Sequence, residues 1–352
     1  RFQLCVFVES MNNMISIIIP HLKGNNILME CLSSIIKHTQ NIRYEIIIVD
    51  NNSTDGSVNA IKQKFSDIKI IQSNINRGYA GGCNLGAENA KGEYLLFLNN
   101  DTKITNGAIE LLVDAMKIDE NISSVQPKIK NYYNKNLFDY AGACGGYIDY
   151  LVYPFSRGRI FNTIEEDLGQ YDSKKKIFWA SGTAFITRKD VFIKMNGFDE
   201  TLFAHMEEID YHWKCLLNGY DIYVEPKSVV YHKGGQTLPY GSYKKIYLNH
   251  RNSMILFLTN HQNLSFKMIL KRFALNDIAA LHYLCTGKFK GFGAVCMANL
   301  WMFFNIRYLL KRRREIKKII PSNSKIGDDL MLPYSIVKKY FFQKKKKYQD
   351  LI

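Results

Sequence analysis

Carboxylates, amides and glycines gather at a few points of this 352-residue chain. Asp50 opens the polar run Asp50-Asn-Asn-Ser-Thr-Asp-Gly56, and Asp101 closes Asn99-Asn-Asp101. Glu207, Glu208 and Asp210 crowd one short stretch, and Asn76-Arg-Gly-Tyr-Ala-Gly-Gly-Cys-Asn84 combines an arginine with Gly78, Gly81 and Gly82. A carboxylate can grip a cation, cap a helix or accept a proton. A glycine-rich stretch either turns tightly or lets backbone approach a phosphate. The glycine set here is not GxGxxG and lacks the Lys and Ser/Thr of a Walker loop. Asp55 reads as a helix cap. Taken alone, Glu207, Glu208 and Asp210 would only place negative charge in a first helical turn, which the macrodipole favours. His232, just before Gly234-Gly235, would alone read as a structural histidine.

The elements that must carry these groups alternate. Ile15-Ser-Ile-Ile-Ile-Pro20, Tyr44 to Val49, Ile68 to Gln72 and Tyr94 to Leu98 are apolar, β-branched runs of the kind that form parallel strands covered on both faces. Helical patterns over about 26–38 and 57–65, and from the glycine-rich loop to Lys91, separate them. The alternation predicts a doubly wound α/β half with right-handed crossovers. Ligands of such sheets sit beyond the carboxyl ends of the strands, which is where Asp50, the Arg77–Asn84 loop and Asp101 fall. Further on, Gly142 to Arg159 reads as loops around a pocket, Ile177 to Thr187 as a strand centred on Gly182, and 189–195 and 208–218 as helices. Ile222 to Tyr231 reads as a closing strand.

The net charge of +15 is unevenly placed. Residues 241–352 hold 22 Lys and Arg against five acids, whereas residues 1–240 hold 25 against 27. That pattern predicts a near-neutral catalytic body and a basic helical appendage that meets phosphate. Lys311-Arg-Arg-Arg314 beside the apolar run Phe292 to Phe304 favours an anionic membrane surface. No zinc finger, RNA-recognition consensus or helix-turn-helix speaks for nucleic acid. The uncharged stretch Gly291–Ile306 is short of a membrane span and predicts a surface-lying helix. Seven scattered cysteines without a CxxC pair suit a reducing, cytoplasmic compartment. Residues 1–13 carry no convincing secretory signal and are expected to lie outside the fold, with Met11 or Met14 as the natural start. The Lys-rich end, 336–352, is expected to be disordered.

The quoted segments together resemble the successive signatures of inverting family 2 glycosyltransferases with a GT-A fold. Downstream, Trp179-Ala-Ser-Gly-Thr-Ala184, Asn-Gly-Phe-Asp-Glu200, Glu207-Glu-Ile-Asp210 and Val-Tyr-His232-Lys-Gly-Gly are similar to the acceptor half of the rhamnosyltransferase-like branch. The resemblance covers about 14–260. It implies a Rossmann-like, mostly parallel sheet with flanking helices over 14–240, divided into a nucleotide half (14–101) and an acceptor half (102–240), followed by the helical basic region 241–335. It implies transfer of one sugar from a nucleotide-diphosphate donor to a hydroxyl of a glycan or polyprenyl-linked acceptor, with Mg²⁺ or Mn²⁺ as cofactor. Asp101 takes the last position of the family's DxD motif, while Asn99 departs from that motif by offering a neutral amide. His232 would approach the metal or the diphosphate. Asp50 and Asn52 would bind the nucleotide, with Pro20, Arg77, Gly78, Gly81, Asn84, Asn99 and Asn100 along the donor. Glu208, where the family usually has Asp, would be the general base beside Glu207. Trp179, Gly182 and Asp210 would line the acceptor site, although a core tryptophan accounts for Trp179 equally well.

Two other readings stand beside this one. A basic peripheral membrane or nucleic-acid-binding protein would use the α/β half only as a scaffold. A sugar nucleotidyltransferase would need an activation loop near the first strand, which is absent. The QxxRW signature of polymerising relatives is absent too, so single-sugar addition is expected.

Overall fold

The computed structural model describes residues 14–235, 239, 241–321, 324, 326–327 and 329–351. The expectation for residues 1–13 therefore lies outside the described residues. In chain order the main sheet begins with β1 (Ile15–His21), α1 (Asn25–His38), β2 (Tyr44–Asp50), α2 (Ser57–Lys64), β3 (Lys69–Gln72), α3 (Gly78–Glu88) and β4 (Tyr94–Leu98). It continues through β5 (Thr102–Ile104), α4 (Ala108–Met116) and β6 (Ile122–Asn131). A second, smaller sheet then holds β7 (Gly146–Asp149), β8 (Pro154–Ser156), β9 (Arg159–Ile160) and β10 (Thr163–Ile164). The chain returns to the main sheet with β11 (Lys175–Lys176), β12 (Ala184–Arg188), α5 (Lys189–Lys194), α6 (Glu207–Leu217) and β13 (Asp221–His232). Helices α7 (Tyr243–Asn260), α8 (Phe266–Cys285), α9 (Phe289–Phe304) and α10 (Ile306–Ile319) follow, and β14 (Met331–Leu332) joins the small sheet beside β7.

The main sheet runs β11-β13-β6-β12-β4-β1-β2-β3, with β5 on β13. Strands β4, β1, β2 and β3 are parallel, and β12 enters antiparallel between β4 and β6. The alternation of side chains explains why β1 is a continuous isoleucine run. Ile15, Ile17 and Ile19 pack with Leu28, Leu32 and Ile35 of α1 on one face, and Ile18 packs towards Ala80 and Cys83 of α3 on the other. Because residues 102–232 supply five strands of this same sheet, the expected nucleotide and acceptor halves share one sheet, with an apolar cluster on each face.

Four expectations are corrected. The glycine-rich segment is not a loop leading to a helix but the helix α3 itself. A Cβ at Gly86 would stand 2.4 Å from Ile18 Cγ2, and one at Gly82 would stand 2.9 Å from Asn51 Nδ2 and 3.1 Å from Pro20 Cβ. These glycines let α3 lie close on β1, which outweighs their poor helix propensity. Gly142–Arg159 supplies strands of the small sheet rather than loops alone, although its Tyr147 and Phe155 do line a cavity of about 230 Å³. The strand expected over Ile177–Thr187 begins only at Ala184, so Gly182 precedes it. The Lys-rich end is folded as well: Tyr348 is buried, its ring 5.3 Å from that of Tyr147, and its N–H donates to Glu165 Oε1 at 3.1 Å. Burial of one aromatic ring there offsets the ordering cost of a charged segment.

Candidate active site

The loop that delivers the acid pair to α6 is held in an unusual backbone conformation. Phe203, His205 and Met206 all have positive φ, at 63°, 69° and 76°. Left-handed backbone at three non-glycine residues persists only where surrounding contacts fix it. Asn252 of α7 supplies them: its fully buried Nδ2 lies 2.8 Å from the Leu202 carbonyl, 3.0 Å from Ala204 and 2.7 Å from His205. Replacing Asn252 with Ala is expected to cost about 2–3 kcal/mol, because buried carbonyls lose their donor. Urea unfolding of the variant measures this, and an unchanged midpoint would show that the loop holds itself.

Glu207 and Glu208 then open α6. Burial pushes Glu207 well up, and the neighbouring Glu208 charge adds to it. Burial also raises Glu208, to about 7, against the pull of backbone N–H groups that include those of Gly182 and Ile209. Oε2 of each acid has no hydrogen-bond partner among the described residues. A carboxylate titrating near neutrality, with one buried oxygen uncommitted, has the properties of a general base.

Asp101 lies on the same edge. The Asn99 N–H donates to the Thr183 carbonyl at 2.9 Å, next to Gly182 on the Glu208 side. His232, at the end of β13, stands between two aspartates, with Nε2 3.2 Å from Asp101 Oδ1 and Nδ1 2.9 Å from Asp139 Oδ1. Burial opposes its charge, but the two carboxylates outweigh this and raise it to about 10. Asn99 Nδ2 approaches the same Nε2 at 3.5 Å. Asn100 is buried and directed away, its Nδ2 2.9 Å from Nδ1 of His21, whose Nε2 meets Ser57 Oγ at 2.7 Å. Near the two aspartates, burial and Arg159 lower the Lys245 ammonium, while Asp139 and Asp101 act to raise it. Among the described residues no cluster of three or more His, Cys, Asp and Glu side chains is arranged to hold a metal. Asp101 nevertheless offers a hard oxygen suited to Mg²⁺ or Mn²⁺, with phosphate oxygens and water completing the shell, whereas Nε2 of His232 becomes a nitrogen ligand, for Mn²⁺, only on giving up the proton that Asp101 and Asp139 favour.

On the other side of β1, an open cavity of about 320 Å³ is lined by Asp50, Ser53, Thr54, Gly56, Val58, Asn59 and Gln72. Asp50 is buried and its Oδ1 accepts the Ser53 N–H at 2.8 Å. Asn52 is exposed beside it with φ 65°. Pro20 pairs with Val49 at the adjoining strand ends. Arg77 caps α3 and reaches Glu200 at 3.8 Å, both half-exposed. A Cβ at Gly78 would stand 2.3 Å from the Phe203 carbonyl, and one at Gly81 2.7 Å from Arg77 Cβ, so these glycines serve close packing.

Three sequence-predicted residues are placed elsewhere. Asn84 spends its amide on the Phe198 N–H and carbonyl, at 3.0 and 2.9 Å, fastening the turn before Glu200. Trp179 is nearly buried, its ring against Gly146 and its Nε1 donating to the Tyr147 carbonyl at 3.0 Å, so the core reading holds. Asp210 points away from the cleft and is wholly buried, accepting from Arg312 of α10 at 2.6 Å and Asn260 of α7 at 2.7 Å. Burial pushes Asp210 up, but Arg312 and Lys214 outweigh it and hold the carboxyl well below the usual range. Gly182, by contrast, does meet the site, with its carbonyl accepting from the Tyr79 hydroxyl. Sequence reasoning missed Asp139, Lys245 and Asn252, none of which stands in a motif; only the basic character of the region after residue 240 hinted at Lys245.

The family model for glycosyl transferase family 2 matches residues 16–195. The chain belongs to this family. Its mixed sheet with flanking helices is the GT-A fold. GalNAc-T7, in a crystal structure with UDP, GalNAc and Mn²⁺, superposes with a TM-score of 0.56 at 19% identity, over 70% of this chain and 48% of that one. Among family 2 relatives, the N-acetylglucosaminyl-diphospho-decaprenol L-rhamnosyltransferase of Mycobacterium tuberculosis is 24% identical over 54% of this chain and 67% of its own length. Glycosyltransferase GlyG of Streptococcus pneumoniae is 29% identical over 57% of this chain and 63% of its own. Sugar transfer is thus the activity of the family to which the chain belongs.

Proposed function

We propose that this glycosyltransferase moves a single sugar, with inversion, from a nucleotide-diphosphate donor to a hydroxyl of a glycan or lipid-linked acceptor in surface polysaccharide synthesis. The carrying observation is the Glu208 carboxylate, raised to about 7, with one uncommitted oxygen, on the sheet edge that also ends in Asp101. In this reading the cavity beside Asp50 takes the nucleoside, with Asn52 and Pro20 at its margin, and Arg77 stands at the head of α3. Asp101 and His232 would hold Mg²⁺ or Mn²⁺, which when bound neutralises the leaving diphosphate. Lys245 places a further cation near the same aspartates. Glu208 accepts the proton of the acceptor hydroxyl as it attacks, beside Glu207, whose carboxyl burial and the Glu208 charge also raise. The basic helical region would keep the enzyme against an anionic membrane surface, at the inner face of the cell membrane, where a nucleotide donor and a lipid-linked acceptor can meet. The likeness to the N-acetylglucosaminyl-diphospho-decaprenol L-rhamnosyltransferase supports this choice of acceptor.

A thermal-shift screen of nucleoside-diphosphate sugars with and without Mn²⁺ tests the reading. One donor is expected to raise the melting temperature, and more so with the metal, because a ligand that binds only the folded state stabilises it. No response from any nucleotide sugar would overturn the proposal.

A further inference from the structure

Helices α8 and α9 carry an apolar surface that nothing in the described chain covers. Along α8 the exposed residues Phe266, Leu270, Ala274, Ile278, Leu281 and Cys285 recur every three or four positions, forming one stripe. Along α9, Met297, Leu300 and Phe304 do the same, with Phe304 83% exposed, and Phe289 stands exposed at the head of the helix. The two helices pack together, and only residues 286–288 join them. Neighbouring stripes of this kind exceed the scattered apolar exposure that folded surfaces tolerate and mark a contact surface.

The charges beside the stripes identify the partner. Exposed Phe266, Leu270, Phe289, Ile306 and Leu310 are each followed directly by an exposed Lys or Arg, namely Lys267, Lys271, Lys290, Arg307 and Lys311. Over 266–319 there are twelve Lys and Arg and two acids, Asp277 and Glu315. A second copy docking through this face would bring like charges together, whereas an anionic bilayer offers acyl chains to the stripes and headgroups to the cations. No helix among the described residues is long and apolar enough to cross a membrane, so the pair lies within one leaflet's interface. The hairpin is fastened to α7 next to Asn252, where Arg272 of α8 donates to Ser253 Oγ at 2.7 Å.

We infer that the α8–α9 hairpin is a monotopic wedge that seats the enzyme in an anionic membrane by burying its two apolar stripes. The inference rests on the membrane association proposed above and deepens it, since charge alone would need no insertion. Flotation with phosphatidylcholine–phosphatidylglycerol vesicles, at low and at molar salt, compares the wild type with the double variant Leu270→Ser/Phe304→Ser. The wild type is expected to stay partly bound at high salt, and the variant to lose at least about tenfold in partitioning while keeping its donor response in solution. Binding that salt abolishes and the variant leaves unchanged would overturn the wedge while sparing an electrostatic attachment. Absence of binding to any vesicle would overturn both. Conversion of a wild-type dimer to a monomer by the variant, read by analytical ultracentrifugation, would assign the stripes to a second copy instead.

Discussion

Glu208→Gln is expected to slow sugar transfer by about 10²–10⁴-fold, the range a positioned general base contributes, while nucleotide binding persists. The carboxylate acts only when ionised, so the wild-type rate should climb with pH through about 7 and level off above it. Stability should move the opposite way. The folded-state pKa of Glu208 lies above the value of about 4.3 for an unfolded chain, so between these values the folded protein binds more protons. Stability therefore falls as pH rises through that window, and the Gln variant escapes the loss. A variant that melts higher than wild type at pH above 7 yet transfers no sugar would separate a catalytic carboxylate from a structural one. Glu208→Asp, which keeps the charge on a shorter arm, should retain part of the activity. Full turnover by Glu208→Gln would remove Glu208 from the role.

Asp101→Asn should be nearly as damaging, with a loss of more than about a hundredfold, because an amide cannot provide the negative charge that binds a divalent cation against a diphosphate. The substitution keeps the side-chain volume, and His232 retains Asp139 at 2.9 Å, so the fold should survive. The decisive reading is the Mn²⁺-dependent part of the melting shift with the donor. It should vanish in the variant and in wild type treated with a chelator, while the nucleotide-only part remains. A Mn²⁺ increment that persists in Asp101→Asn would move the metal elsewhere.

The doubly wound part of the fold was legible because β1, β2 and β4 are buried on both faces and therefore written as unbroken apolar runs. Asp50, Asp101 and the Glu207–Glu208 pair could be singled out for a related reason: strand ends and helix starts have local signatures. The glycines of α3 misled, since their purpose is the close approach of Gly86 to Ile18, a contact between distant segments. Strands β9, β10 and β14 are two residues each and leave no periodicity to detect. Asp210 carries the same chemistry as its neighbours Glu207 and Glu208. Its partners set it apart, and of these Asn260 and Arg312 lie far along the chain, Arg312 by 102 residues.

That separation governs how the enzyme is made. The helix that carries Glu208 is synthesised with a carboxylate that has one counter-charge, Lys214, on the same helix at 3.3 Å and a second, Arg312, that the ribosome has yet to produce. Until α10 arrives, Asp210 has Lys214 alone as its charged partner, and its full burial lacks the Arg312 hydrogen bond at 2.6 Å that completes the pairing. A nascent chain halted between Lys245 and Arg312 would thus contain every residue proposed for the reaction and still lack the Asp210–Arg312 ion pair.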